Sequence, residues 1–70
     1  MKLRLSNHAI EKARERGISI EQIKNAIQRG AKHLQGEKIV SDYTYVRAVY
    51  KKIGDEFFVI TVMVRKGDGN

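Results

Sequence analysis

His8, Lys12 and Arg16 recur at a spacing of four in the chain. On a helix, at about 100° per residue, these three fall within about 80° of one another. An imidazole moves a proton between roughly pH 5 and 8. Two cations beside it hold a phosphate and stabilise its developing charge. Ala9, Ile10 and Ala13 fill the adjacent stripe, and Glu11 and Glu15 flank the row on the other side. The basic row therefore borders an apolar face, where a groove beside a sheet would lie. The competing reading is a solvated helix face, with Glu11 beside Lys12 and Glu15 beside Arg16 as ordinary surface charges.

A second set lies in the C-terminal half. Strand parity groups Arg47 with Lys51, and Thr61 with Arg65. Tyr43, Tyr45 and Tyr50 interleave with them. Cations and aromatic rings on an exposed sheet suit single-stranded RNA, which offers phosphates to the one and bases to the other. Against this, Tyr, Val and Thr pair across strands for packing reasons alone. Thr61, inside an apolar run, needs a hydrogen-bond partner or solvent for its hydroxyl.

Other chemistries thin out. There is no cysteine, hence no disulfide and no thiolate zinc site. His8 and His33 lie far apart in sequence and make a poor metal set. The glycines are scattered and form no phosphate-cradling loop. No Ser–His–Asp arrangement stands out. A helix opening at Ser19 invites a helix-turn-helix reading, but that motif needs a helical bundle, and the rest of the chain reads as strand. No metal and no cofactor are expected.

The charge balance agrees with a polyanionic partner. Fourteen Lys and Arg oppose eight Asp and Glu, for a formal net charge of +6. Solubility alone explains the same excess. Composition, at 41% hydrophobic and 31% charged, is that of a globular domain. The apolar run from Phe57 to Met63 is too short for a bilayer span. Met1 to Ser6 does not read as a secretory leader. The expected compartment is the cytoplasm, with no membrane partner.

The elements that must position these residues fall into two halves. Lys2–Leu5 reads as a short strand. Ser6 or Asn7 caps a first helix ending near Arg16, where Gly17 supplies a left-handed residue. Ser19 and Gln22 form a capping box, Ile18 and Ile23 its hydrophobic staple, and a second helix runs from Ile20 to Arg29. Ile20, Ile23, Ala26 and Ile27 share its apolar face. Lys38–Tyr43, Tyr45–Lys52 and Phe57–Lys66 read as strands, with a turn from Ile53 to Glu56. In the last strand, Phe58, Ile60, Val62 and Val64 take one side and Phe57, Val59, Thr61, Met63 and Arg65 the other. The expected fold is α+β: two N-terminal helices on one face of a three- to four-stranded antiparallel sheet, the other face partly open. Residues 1–66 form one domain, and 67–70 a fraying tail.

Ser6-Asn7-His8-Ala9, Lys12, Arg16-Gly17-Ile18-Ser19 and Glu21-Gln22-Ile23 resemble the opening of the DUF4258 family of domains of unknown function. Lys12 stands where that pattern usually carries arginine, which keeps charge but loses bidentate geometry. That family is in turn similar to the RelE-like ribonuclease toxins, of the barnase, EndoU, colicin and RelE type. The resemblance implies a metal-independent RNase with a helix pair on a four-stranded antiparallel sheet.

On that expectation RNA is cut through its 2′-hydroxyl, leaving a cyclic phosphate. His8 carries the proton, Arg16 and Arg47 stabilise charge, and Thr61 or Tyr45 positions a phosphate oxygen. Lys12, Tyr45, Lys51 and Arg65 hold the RNA. The alternatives are a non-catalytic RNA-binding or protein-interaction module, with an antitoxin-like protein as partner, or a homodimer that buries Val59 and Met63. A catalyst would set His8 close to Arg16 and a strand arginine. A binding module would show a flat basic sheet with His8 apart.

Overall fold

A computed structural model describes residues 1–65. The expected tail at 67–70 lies outside the described residues. β1 (Lys2–Leu5) leads into α1 (Asn7–Arg16) and α2 (Ile20–Arg29). Four strands follow: β2 (Ala31–Gln35), β3 (Lys38–Tyr43), β4 (Val46–Ile53) and β5 (Glu56–Val64).

Local chemistry sets the helix ends. Ser6 caps α1 by accepting from the Ala9 N–H at 3.0 Å. Gly17 closes α1 in the left-handed region, at φ +68°, a conformation that costs a side-chain-bearing residue more. At α2, Ser19 accepts from the Gln22 N–H at 3.1 Å, and the Gln22 side chain accepts from the Ser19 N–H at 2.8 Å. This is the expected capping box, and Ile18 and Ile23 beside it are both buried. Gly30 ends α2 in an extended conformation, so its role is different. A Cβ there would stand 2.8 Å from the Asp42 carbonyl oxygen and closer still to Ala26 O and Ser41 Oγ. Glycine is what lets the chain pass so tightly from α2 into β2.

The sheet has five strands in the order β1-β5-β4-β3-β2. It is mixed, because β1 runs parallel to β5, with Leu3 beside Phe57 and Leu5 beside Val59. The expectation of three or four antiparallel strands is corrected on both counts. A parallel neighbour needs a long crossover, and here the whole intervening chain supplies it. β2 was missed because Ala31-Lys32-His33-Leu34-Gln35 has little β-propensity. Its pairing with β3 through a two-residue turn at Gly36-Glu37, not its composition, makes it a strand.

A second correction concerns β5. Val49 pairs with Thr61, but Tyr50 pairs with Val59, so Ile60 is an extra residue in the ladder. Such a bulge inverts the facing of everything beyond it. Val62 faces the helices on one side of it, and Val59 and Phe57 do so on the other. Phe58, expected in the core with Ile60, turns to the opposite face as the cross-strand neighbour of Lys51. Val59 and Met63 therefore lie on opposite faces and cannot form one dimer contact.

α1 packs on β5 and β1, and α2 on β3 and β4, all from one side. The core between them joins Ala9, Ala13, Ile18, Ile23, Ala26 and Ile27 to Val46, Ala48, Tyr50, Val59 and Val62. Tyr50 meets Phe57 edge-on, at 5.7 Å between ring centroids. Ser41, the buried polar residue of this layer, donates its hydroxyl to the Ala26 carbonyl. Ile20 is exposed instead of sharing the core face. It is the first residue of α2, and helical side chains lean toward the N-terminus, so it projects past the end of the helix.

Candidate functional site

Among the described residues, no helix lies on the side of the sheet away from α1 and α2. Strand alternation and register assign its residues. One row crosses it through Thr61, Val49, Val40 and His33, and the next through Met63, Arg47, Asp42 and Ala31. Arg4, Phe58 and Lys51 make a third row. Val40 and Val49 are buried although no helix covers them.

Asp42 is the centre of this face. Arg47 holds it with two parallel bonds, Nε to Oδ1 at 2.7 Å and Nη2 to Oδ2 at 3.0 Å. Arg65 approaches the same carboxylate, Nε to Oδ2 at 3.9 Å, while its Nη1 donates to the Thr44 carbonyl at 3.1 Å. The Arg47 hydrogen bond draws the Asp42 pKa below its ordinary value against the opposing effect of burial, and the charges of Arg47, Arg65 and His33 add to it. The same bond raises Arg47. One carboxylate thus meets two guanidiniums, with an imidazole near enough to be felt. The cluster keeps a positive excess while Asp42 is ionised.

The turn beside it is strained. Thr44 sits at φ +53°, where the other two hairpin turns place Gly36 and Gly54. A β-branched residue is unfavourable there. Its Oγ1 donates to the Tyr43 carbonyl at 2.6 Å, and the Arg65 N–H donates to the Tyr45 carbonyl at 2.7 Å.

At the opposite corner, Arg4 lies over the Phe58 ring, 5.1 Å from its centroid, and reaches Glu56 at 3.5 Å. Lys51 approaches Glu37 at 3.8 Å. These are half-exposed surface pairs, worth little in stability.

The expected site residues divide between two layers. Arg47, Lys51, Thr61 and Arg65 come together on or beside the uncovered face. His8, Lys12 and Arg16 stand on α1, on the other side of the sheet. His8 and Arg16 are exposed, and Lys12 pairs with Glu15 at 3.5 Å rather than each glutamate with the base that follows it. His8 therefore does not meet Arg47. Thr61 is half-buried, its hydroxyl 3.5 Å from the Val62 carbonyl. Tyr45 stands in the β3–β4 turn rather than in a strand, and its hydroxyl accepts from Gln22 Nε2 at 2.6 Å. Tyr50 and Tyr43 pack toward the helices, so they do not interleave with the strand cations. The ring of the uncovered face is Phe58.

His33, Asp42, Arg4 and Phe58 were not singled out from sequence. Asp42 was within reach: two strands joined by a two-residue turn pair residue i with i+5, which sets Asp42 against Arg47. His33 was not, because it sits on the strand that composition conceals. Among the described residues no three His, Asp or Glu side chains group as metal ligands. None of their helices is long and apolar enough to cross a membrane.

A helix pair on one side of a five-stranded mixed sheet, with a basic cluster on the other, defines a small α+β domain. The chain belongs to the family described as Domain of unknown function (DUF4258), whose model matches residues 5–64. No curated protein and no solved structure matches it.

Proposed function

We propose that the chain binds single-stranded RNA on the uncovered sheet face. The observation that supports this most is the convergence of Arg47 and Arg65 on Asp42, on a face that no described helix covers. Arg4 and Lys51 extend the charge along the same face, and Phe58 lies between them. Guanidiniums in fixed orientation suit phosphate oxygens. A ring among them suits a splayed base, and single strands offer both. The test is titration of labelled single-stranded RNA into the full chain. Affinity should fall with salt as counterions are released. Arg47→Ala should weaken it while His8→Ala leaves it unchanged. Equal binding by the Arg47 variant sinks the reading.

A second reading, metal-independent cleavage, draws on His33. It stands on the same face as Arg47 and Arg65, which His8 does not. Cleavage would also fit the resemblance to RelE-like ribonucleases that the opening motif suggests. In this reading the RNA 2′-oxygen attacks phosphorus, forming the new O–P bond, and its proton passes to the His33 imidazole. The bond from phosphorus to the 5′-oxygen breaks, and that oxygen takes a proton from water. The products are a 2′,3′-cyclic phosphate and a 5′-hydroxyl. Arg47 and Arg65 stabilise the charge that builds on phosphorus. Incubation with labelled RNA in chelator should give cyclic-phosphate ends, reduced about 10²-fold or more in His33→Gln. RNA that binds and stays intact leaves the binding module as the function.

A further inference from the structure

β2 is the outer strand of the sheet. It pairs with β3 along one side, and no described strand pairs along the other. All five of its residues are exposed. Leu34 is 76% exposed, the most open large apolar side chain of the described residues. Edge strands are ordinarily blunted by proline, a bulge or a covering element. The chain has no proline, the β2–β3 register is regular from Ala31 to Gln35, and α2 packs on β3 and β4 instead. Lysine is the remaining common guard. Here the Lys32 ammonium folds back onto the Gly30 carbonyl at 3.1 Å, toward the start of the strand.

We propose that β2 receives an acidic, extended peptide segment of a partner protein as a sixth strand. Its outward N–H and C=O groups supply the attachment, and side chains on either face supply the selectivity. Lys32 and Leu34 share the helix-side face, since they pair with Ser41 and Ile39. His33 lies on the other face. Exposed Arg29 precedes the strand, and exposed Lys38 faces Gln35 across the hairpin. No acid stands on β2 itself. A segment that sets an acid beside Lys32 and an apolar residue two positions on, beside Leu34, meets both on their shared face. A second copy of the chain would bring Arg29, Lys32 and His33 of both copies onto one edge, on two molecules each at +6. The inference uses the strand edge and stands apart from the RNA reading.

The test uses the full chain and two short capped peptides, one repeating Glu-Thr-Val-Thr and one repeating Lys-Thr-Val-Thr, so that charged and apolar side chains share one face. The glutamate peptide should slow hydrogen exchange at the outward amides of residues 31–35 and bind about tenfold tighter than the lysine peptide. Leu34→Asp and Lys32→Glu should each weaken it by about tenfold. Both side chains are exposed, so the melting temperature should hold. RNA affinity should survive Leu34→Asp, which separates this surface from the uncovered face. Unchanged exchange at β2 overturns the proposal. So does equal binding of the two peptides. Protection that grows with protein concentration in the absence of peptide also overturns it, because the occupant is then a second copy.

Discussion

Ser6 Oγ donates to the Ile60 carbonyl at 2.7 Å while accepting from the Ala9 N–H at 3.0 Å. The residue that starts α1 therefore also holds the bulge in β5, fifty-four positions away. Its own N–H donates to the Val59 carbonyl at 2.9 Å, in the preceding peptide of the same strand. With the Ile10 N–H donating to its carbonyl at 3.0 Å, four hydrogen bonds at one serine join helix and bulge at the end of the first strand. The opening motif that suggested chemistry at His8 has a structural role at Ser6.

Ser6→Ala should destabilise the fold by about 1–2 kcal/mol, from the lost cap together with an unanswered carbonyl. Urea unfolding measures it. A Ser6→Thr variant, which keeps a hydroxyl, should recover part of the loss. If alanine is neutral, the bulge stands without its clamp.

Ile23 is fully buried, whereas Ile20, one turn earlier, is 49% exposed. Ile23→Ala should cost about 2–5 kcal/mol through lost burial and the cavity left behind. Ile20→Ala should cost well under about 1 kcal/mol, as a surface substitution. Similar losses at both positions, by thermal or urea unfolding, would show that α2 is rotated from the orientation described.

Much of this fold can be read from residue order, and the parts that cannot share a cause. Both helices are legible because their ends are set by neighbours in sequence: Ser6, Gly17, Ser19 and Gln22 act within a few positions of themselves. β3, β4 and β5 are legible because β-branched and aromatic residues crowd them. The bulge at Ile60 is not, since Ser6 and the β4 register impose it from afar. One misplaced residue then reverses Phe57, Phe58 and Val59. β2 is hidden for a similar reason, because a hairpin partner overrides the weak preference of Ala31–Gln35. The site divides the same way. Arg47, Lys51, Thr61 and Arg65 follow from parity, while His33 and Phe58 depend on the two features that sequence conceals.

Asp42 makes stability depend on pH. Its folded pKa is depressed, chiefly by the Arg47 hydrogen bond. The sign follows by linkage: the ionised carboxylate stabilises the fold above the ordinary aspartate value, about 3.9. That contribution is lost as pH falls through the lower folded value. The stability gap between the parent and Asp42→Asn should therefore be constant from neutral pH down to about pH 5 and shrink below about pH 4. Urea midpoints across that range test it. A gap that persists unchanged in strong acid means the carboxylate is not the source.

The same carboxylate competes with any phosphate that comes to the uncovered face. Arg47 spends two of its donors on Asp42, and the Arg65 guanidinium approaches the same oxygens. Asparagine keeps the shape and removes the charge. On the RNA-binding reading, Asp42→Asn should tighten single-stranded RNA by about 1.4- to fivefold at low salt, the factor expected when a competing surface charge interaction of about 0.2–1 kcal/mol is removed. The gain should shrink as salt rises, because the change is electrostatic. Fluorescence anisotropy with labelled RNA at two salt concentrations reads both effects. Weaker binding by the variant would mean that Asp42 acts by orienting Arg47, so that the bidentate pair is itself part of the recognition surface. An affinity unchanged at both salts would place the phosphates away from this cluster, and with it would fall the argument that Arg47 and Arg65 receive them.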